Sequence, residues 1–206
     1  ILDPIHNAGK RVVNGTTQYV GGGVVTANVF AQSWLQIVKA VSGYRSIVGY
    51  QLMWAPTLYG ANITETTWVT CAQNANTQIR TVDTTRIILV DGFAASVAYR
   101  WSTTNPDLHT LIDPNNNLIF CARLRLDRDG SGTYYDWAKE VSAGDSLGIG
   151  GTALDSSVGK RRIADFVTWC ETYNVKGMVQ ELAVSNDRGL DISSTYAASI
   201  FTQDVY

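Results

Sequence analysis

An α/β fold, with βα units arranged around a parallel sheet, is what this sequence predicts, on three observations. Short runs rich in Ile, Val and Leu alternate with longer amphipathic segments. The longer segments carry apolar residues at helical spacing, and two of them open on a threonine suited to capping. Gly, Pro, Asn and Asp collect between the segments, as in Asp113-Pro114-Asn115-Asn116-Asn117, Asp129-Gly130-Ser131-Gly132 and Gly148-Ile149-Gly150-Gly151.

Five strands follow from the apolar runs: Ile1 to Ile5, Ile47 to Trp54, Arg86 to Asp91, Asn117 to Leu126 and Lys176 to Leu182. Helices are predicted at Thr26 to Val41, Glu65 to Val82 and Ser157 to Tyr173, with Thr26 and Thr64 as N-caps. In the third helix, Ile163, Phe166, Val167 and Cys170 make one face, with Trp169 beside it. Ser193 to Val205 reads as a further helix. No internal repeat or linker interrupts the chain, so a single domain over residues 1–206 is expected.

Composition narrows the functional classes. With 206 residues, 45% of them apolar and 17% charged, the chain can bury a sizeable core. A net charge of −2, with no basic run beyond Lys160-Arg161-Arg162, argues against a nucleic acid partner. The longest apolar stretches are strand-length, far below the roughly 20 residues that span a bilayer, so no membrane association is expected. The chain opens on Ile1-Leu2-Asp3 without a charged and apolar leader, so a signal peptide is absent or already removed.

Cys71, Cys121 and Cys170 are too few and too widely spaced for a zinc site or a disulfide framework, and buried free thiols are the plain reading. With only His6 and His109, a metal centre lacks ligands, and no cofactor is expected. The glycine triplet Gly21-Gly22-Gly23 lacks the lysine and hydroxyl of a phosphate-binding loop. Asn14-Gly15-Thr16 and Asn62-Ile63-Thr64 fit the glycosylation acceptor pattern of secreted proteins.

Six stretches, in order, resemble the endo-β-1,4-glucanases of glycoside hydrolase family 5. "LDPIHN" (from Leu2) is similar to that family's third-strand motif, and "VGYQLMWAP" (from Val48) stands where its fourth strand ends in Asn-Glu-Pro. "RIILVDG" (from Arg86) resembles the fifth strand, and "NPDLHTLIDPNNNLIF" (from Asn105) the approach to the sixth. "LDRDGSGT" (from Leu126) resembles the Leu-Asp-Ser-Asp-Gly-Ser-Gly-Thr loop, and "VKGMVQELAVSND" (from Val175) the seventh strand.

The resemblance implies a (β/α)8 TIM barrel, here partial, with about strands 3 to 7 recognisable and the domain incomplete at both ends. An open barrel of this kind would need its edges covered, by a partner or by self-association. It also implies a retaining glycosidase that works with two carboxylates about 5 Å apart, acts on a β-glucan oligosaccharide or another small ligand, and is secreted.

Carried over residue by residue, the resemblance makes Glu181 the nucleophile, but the acid/base position is Ala55, and a methyl group cannot protonate a leaving oxygen. His6 and Asn7 stay, followed by Ala8. Trp54 replaces an asparagine; Phe93, Ala95 and Tyr99 stand for sugar-contacting residues; Cys121, Arg123 and Arg125 occupy alternate, inward positions of the sixth strand. The lining is thus altered while the scaffold is kept.

Each residue carries a second reading. Glu181 is either a nucleophile or the partner of Arg123 or Arg125 at the barrel mouth, and Trp54 either fills space or forms a platform for a ring. Arg123 and Arg125 are wall residues or donors to an oxyanion. Three functions follow: an impaired retaining hydrolase, a non-catalytic binding homologue, or a redesigned catalyst with Glu181 as base and Trp54 stacking on a flat substrate.

Overall fold

A computed structural model describes residues 10–56, 63–133 and 137–183. The first strand, with His6 and Asn7, and the helix expected at Ser193 to Val205 lie outside the described residues. The described residues open on a hairpin not anticipated from the sequence, β1 (Lys10–Val13) and β2 (Thr16–Tyr19), paired antiparallel. Asn14 and Gly15 turn it with φ of 49° and 75°, the pair of positive φ values that a two-residue hairpin turn requires.

Helix α1 (Ala27–Val41) begins where Thr26 accepts a hydrogen bond from Val29 N at 3.3 Å. Its buried side, Phe30, Ala31, Trp34 and Val38, repeats at helical spacing. Helix α2 (Glu65–Arg80) is capped the same way, Thr64 accepting from Thr67 N at 3.2 Å. It buries Trp68, Cys71, Ala72, Ala75 and Ile79, and α1 packs on it through Phe30 and Trp68.

Both helices are pinned to the ends of strands. Trp34 Nε1 donates to Leu52 O at 3.1 Å, just past β3 (Gly49–Gln51). Trp68 Nε1 donates to Asp91 O at 2.8 Å, the last residue of β4 (Ile87–Asp91). The indoles therefore fill the space behind the sheet and also fix where its C-terminal ends stand.

β3, β4, β5 (Leu118–Arg125) and β6 (Gly177–Ala183) form a parallel sheet in sequential order. The four strands match those expected, with β3 shorter than Ile47 to Trp54; the chain beyond it turns at Ala55, where φ is 47°. Between β4 and β5 run single helical turns and α3 (Trp101–Thr104); between β5 and β6 lie α4 (Trp137–Ala143), not foreseen, and α5 (Val158–Tyr173).

Alternate residues of β5 divide the layers. Phe120, Ala122 and Leu124 join the hydrophobic core beneath α5, while Cys121, Arg123 and Arg125 take the other face. The buried side of α5 is Val158, Arg162, Phe166 and Trp169, whereas Val167 is 41% exposed, so the expected apolar face is corrected by about one position. Packing decides it: Trp169 lies edge-on to Phe120 at 5.1 Å and to Trp101 at 5.6 Å. Cys71 and Cys121 are buried free thiols and Cys170 is partly buried. No described helix is long and apolar enough to cross a membrane.

At the opposite, N-terminal edge of the sheet, Arg80 holds Asp113 in a fork, Nε to Oδ1 at 2.7 Å and Nη2 to Oδ2 at 2.9 Å. Asp83 accepts from Tyr50 Oη at 2.7 Å and from Thr85 N and Arg86 N at 3.0 Å each, and it pairs with the Arg86 guanidinium. Burial opposes ionisation of Asp83, but the hydrogen bonds from Arg86, Tyr50 and Thr85 outweigh it and hold the carboxyl far below the usual range. Asp113 is lowered likewise: burial raises it, and Arg80 and Asn117 more than compensate.

Because both carboxyls lie lower in the folded chain than in the unfolded one, their stabilisation is present at neutral pH and drains away as pH falls below about 4. The urea midpoint should therefore fall steeply between about pH 4 and pH 2. Asp83→Asn should flatten that dependence; an unchanged slope would refute the assignment.

Candidate active site

The C-terminal ends of the four strands meet around Asp91. It is wholly buried, and both carboxylate oxygens are occupied. Oδ1 accepts from Gln51 Nε2 of β3 at 2.7 Å. Oδ2 accepts from Ala55 N at 2.9 Å, from Gln180 Nε2 of β6 at 2.9 Å and from Arg123 Nη2 of β5 at 2.8 Å. Gln51 Nε2 also donates to Gln180 Oε1 at 2.9 Å, which closes the ring.

Burial pushes the Asp91 carboxyl up to about 6, against the pull of the Ala55 N–H, the Arg123 charge and the two amides. Cys121, its register partner on β5, has its thiol pushed well above the usual range by burial and by the Asp91 charge.

Arg123 leads outward from this ring. Its side chain is 1% exposed, and while Nη2 serves Asp91, its Nε lies 3.1 Å from Glu181 Oε2 and its Nη1 donates to Ala95 O at 3.2 Å. The guanidinium carbon stands over the Trp54 ring, 4.2 Å from its centre, within cation–π range. Arg125 takes the other oxygen, Nε and Nη2 reaching Glu181 Oε1 at 2.9 and 2.7 Å, and Nη1 donates to Ser131 O at 2.7 Å. The Glu181 side chain keeps 30% of its surface exposed.

A β-bulge makes this convergence possible. Ala122 pairs with Val179 and Arg123 with Glu181, so Gln180 is an extra residue on β6. In a regular strand, adjacent residues face opposite sides; here Gln180 reaches Asp91 while Glu181 meets both arginines.

The backbone around the site is held in unusual conformations. Ala94, Ala95 and Ser96 have φ of 53°, 65° and 59° in succession, beside Ala55 at 47°. Such left-handed residues cost about 1–2 kcal/mol each and persist where their surroundings impose them. Here Ala95 O is committed to Arg123, and Ala95 N donates to Pro56 O at 3.4 Å.

Of the residues singled out from sequence, Glu181, Arg123, Arg125, Trp54 and Ala55 come together. Phe93 packs partly on the hydrophobic core, its N–H bound to Asn105 Oδ1 at 2.6 Å. Tyr99 covers the Gly130 turn, where an added Cβ would lie 3.1 Å from its ring. Glu65 stays outside, accepting from Asp107 N at 3.2 Å, and His109 stacks on Tyr173 at 3.7 Å near the end of α5. Among the described residues no three His, Cys, Asp or Glu side chains could hold a metal ion.

Asp91, Gln51 and Gln180 were missed by sequence reasoning. The signal for Asp91 was available, since it ends a predicted parallel strand, where barrel enzymes keep their polar residues.

Sequentially ordered parallel strands, helices on one face, and ionic side chains gathered on the other at the C-terminal ends define a segment of a (β/α)8 barrel of the enzyme-bearing type. The chain belongs to the cellulase family, glycosyl hydrolase family 5, whose model matches residues 1–203. It is 28% identical over 116 residues to a probable endo-β-1,4-glucanase B of Aspergillus niger, covering 56% of this chain and 30% of that protein. Pseudomonas stutzeri endoglucanase Cel5A, solved with cellobiose, superposes with a TM-score of 0.70 at 27% identity, covering 96% of this chain and 51% of that one. XacCel5A, solved with cellopentaose, gives a TM-score of 0.67 at 27% identity, covering 82% and 50%. The chain thus spans about half the length of these solved relatives and under a third of the curated one.

Two substitutions test the energetics. Arg123→Met strands Asp91 in the interior without its cation and should cost about 3–5 kcal/mol of unfolding free energy. Ala95→Gly relieves a left-handed backbone, less the greater freedom of glycine in the unfolded chain, and should raise stability by up to about 1 kcal/mol. Urea titration measures both, and a destabilising Ala95→Gly would contradict the strain.

Proposed function

We propose that this chain is the site-bearing part of a retaining β-glucan hydrolase of the cellulose-acting kind, with Glu181 as nucleophile and acid/base catalysis impaired at Ala55. The observation that carries it is Glu181 itself: a partly exposed carboxylate at the C-terminal end of a barrel strand, oriented by guanidinium groups on both oxygens. Two guanidinium partners fix it in direction, as attack on an anomeric carbon requires. Trp54, backed by Arg123 on one face, is the platform for a sugar ring. By family resemblance His6, Asn7, Phe93 and Tyr99 complete the lining for a β-glucan oligosaccharide. The location that suits a polymeric substrate is outside the cell.

The impairment rests on Ala55, which is fully buried and offers only a methyl group. Asp91 does not replace it, because no part of it is exposed and both its oxygens are bonded. A substrate whose leaving group needs no proton should still react. Incubation with a 2-fluoro-glycoside bearing an activated leaving group should add one sugar to Glu181 by mass spectrometry, and Glu181→Gln should abolish it. Natural cello-oligosaccharides should turn over at least about a hundredfold more slowly than in relatives with both carboxylates.

The double clamp on Glu181 also favours a second reading, a binding homologue that holds a glucan without cleaving it. Cellopentaose titrated calorimetrically would then bind, weaken about tenfold or more in Trp54→Ala, and leave no adduct with the fluoro-sugar.

A further inference from the structure

Two cations and two anions stand in line at the strand ends, and they are not equivalent. Glu181 and Arg125 meet solvent, with side chains 30% and 22% exposed. Arg123 and Asp91 do not, at 1% and 0%. A guanidinium buried to that degree needs a fixed counter-ion, because an unpaired buried charge is far more costly than a paired one. Glu181 alone cannot supply it, since Arg125 already takes its Oε1 through two nitrogens.

We infer that Asp91 is a positioning residue for this site: sealed from any ligand, it holds the Arg123 guanidinium in the place where it stands over Trp54 and one edge carries Glu181. The inference rests on the proposed function only in taking Trp54 and Glu181 as the ligand-facing groups.

The geometry supports a held rather than a chance contact. Asp91 Oδ2 has three donors, from the turn after β3, from β5 and from β6, and Oδ1 has one from β3, so its own position is fixed by all of these together. Trp68 on α2 grips its main-chain carbonyl from behind. The side chains facing it are Gln51 on β3, Arg123 and the Cys121 thiol on β5, and Gln180 on β6, with Glu181 one step removed through Arg123. Arg123 is the one charged group in direct contact among these described residues, so a change of charge on Asp91 acts on it first.

That charge is within experimental reach. Burial brings the Asp91 carboxyl up to about 6, so acidification through that value adds a proton in the folded chain and removes the anion that holds Arg123 Nη2. Arg123 should then leave the Trp54 face.

The readout is Trp54 emission, taken as the difference between the protein and its Trp54→Phe variant, from pH 8 to pH 4.5. A single titration near pH 6 is expected, and Asp91→Asn should abolish it. Gln51→Met, which removes a donor from Oδ1 and leaves Arg123 in place, should move the midpoint upward and keeps the test available if Asp91→Asn fails to fold. A flat Trp54 signal overturns the inference, and so does a transition that persists unchanged in Asp91→Asn or that ignores Gln51→Met. A carboxylate that served only to tie the strands would leave Trp54 unmoved.

Cellopentaose separates this from the proposed function. Its affinity should fall about tenfold across the same transition. A protein that titrates at Trp54 and binds no cellopentaose at either pH would refute the proposed function and leave the role of Asp91 intact.

Discussion

The carboxylate of Asp91 is the constraint on which the rest of this molecule turns. Parallel strands are joined along their length by main-chain bonds, but at their C-terminal ends the ladders stop and the ends are free to splay. Here one buried group takes hydrogen bonds from residues of β3, from the turn that follows it, and from β5 and β6, while its own strand, β4, is held from behind by Trp68. The Arg123–Asp91 pair adds little to net stability against an apolar alternative of the same shape. What it supplies is specificity, because no apolar cluster would fix the direction of Arg123, and through it the placement of Trp54 and Glu181.

Much of the scaffold was legible in the residues. The β4 and β5 runs, and the helices capped by Thr26 and Thr64, announce themselves through apolar spacing and capping chemistry, which are local properties. Where the reading failed, the deciding partner lay elsewhere in the chain. Val167 belongs to the α5 stripe by spacing alone, yet Phe120 and Trp101 select Trp169, and Asp145 with the carbonyls of Asp127 and Arg128 selects Arg162, as the buried side. The bulge at Gln180 has no local mark, because it exists only in the register of β6 against β5. Asn14-Gly15 is the exception, a local turn signal whose two positive φ values close the β1–β2 hairpin.

The site divides the same way. Family motifs led to Glu181, Arg123, Arg125, Trp54 and Ala55, since those positions are fixed by strand alternation. They could not lead to Asp91, Gln51 and Gln180, whose importance lies in meeting one another across three strands. The two arginines on Glu181 emerge as one arrangement: each neutralises half of a charge balance whose other half is buried out of sight.

The loop that carries Ser131 bears on the site through Arg125. Gly132 lies flat against Arg125, at φ 75°, and a Cβ there would fall 3.0 Å from Arg125 Cδ. The same guanidinium is committed to Ser131 O and to Glu181. Residues 125, 132 and 181 sit on two strands and a loop, yet none can be exchanged without disturbing the others. A side chain at residue 132 would therefore press on the guanidinium that fixes Glu181, so the loop constrains the carboxylate without touching it.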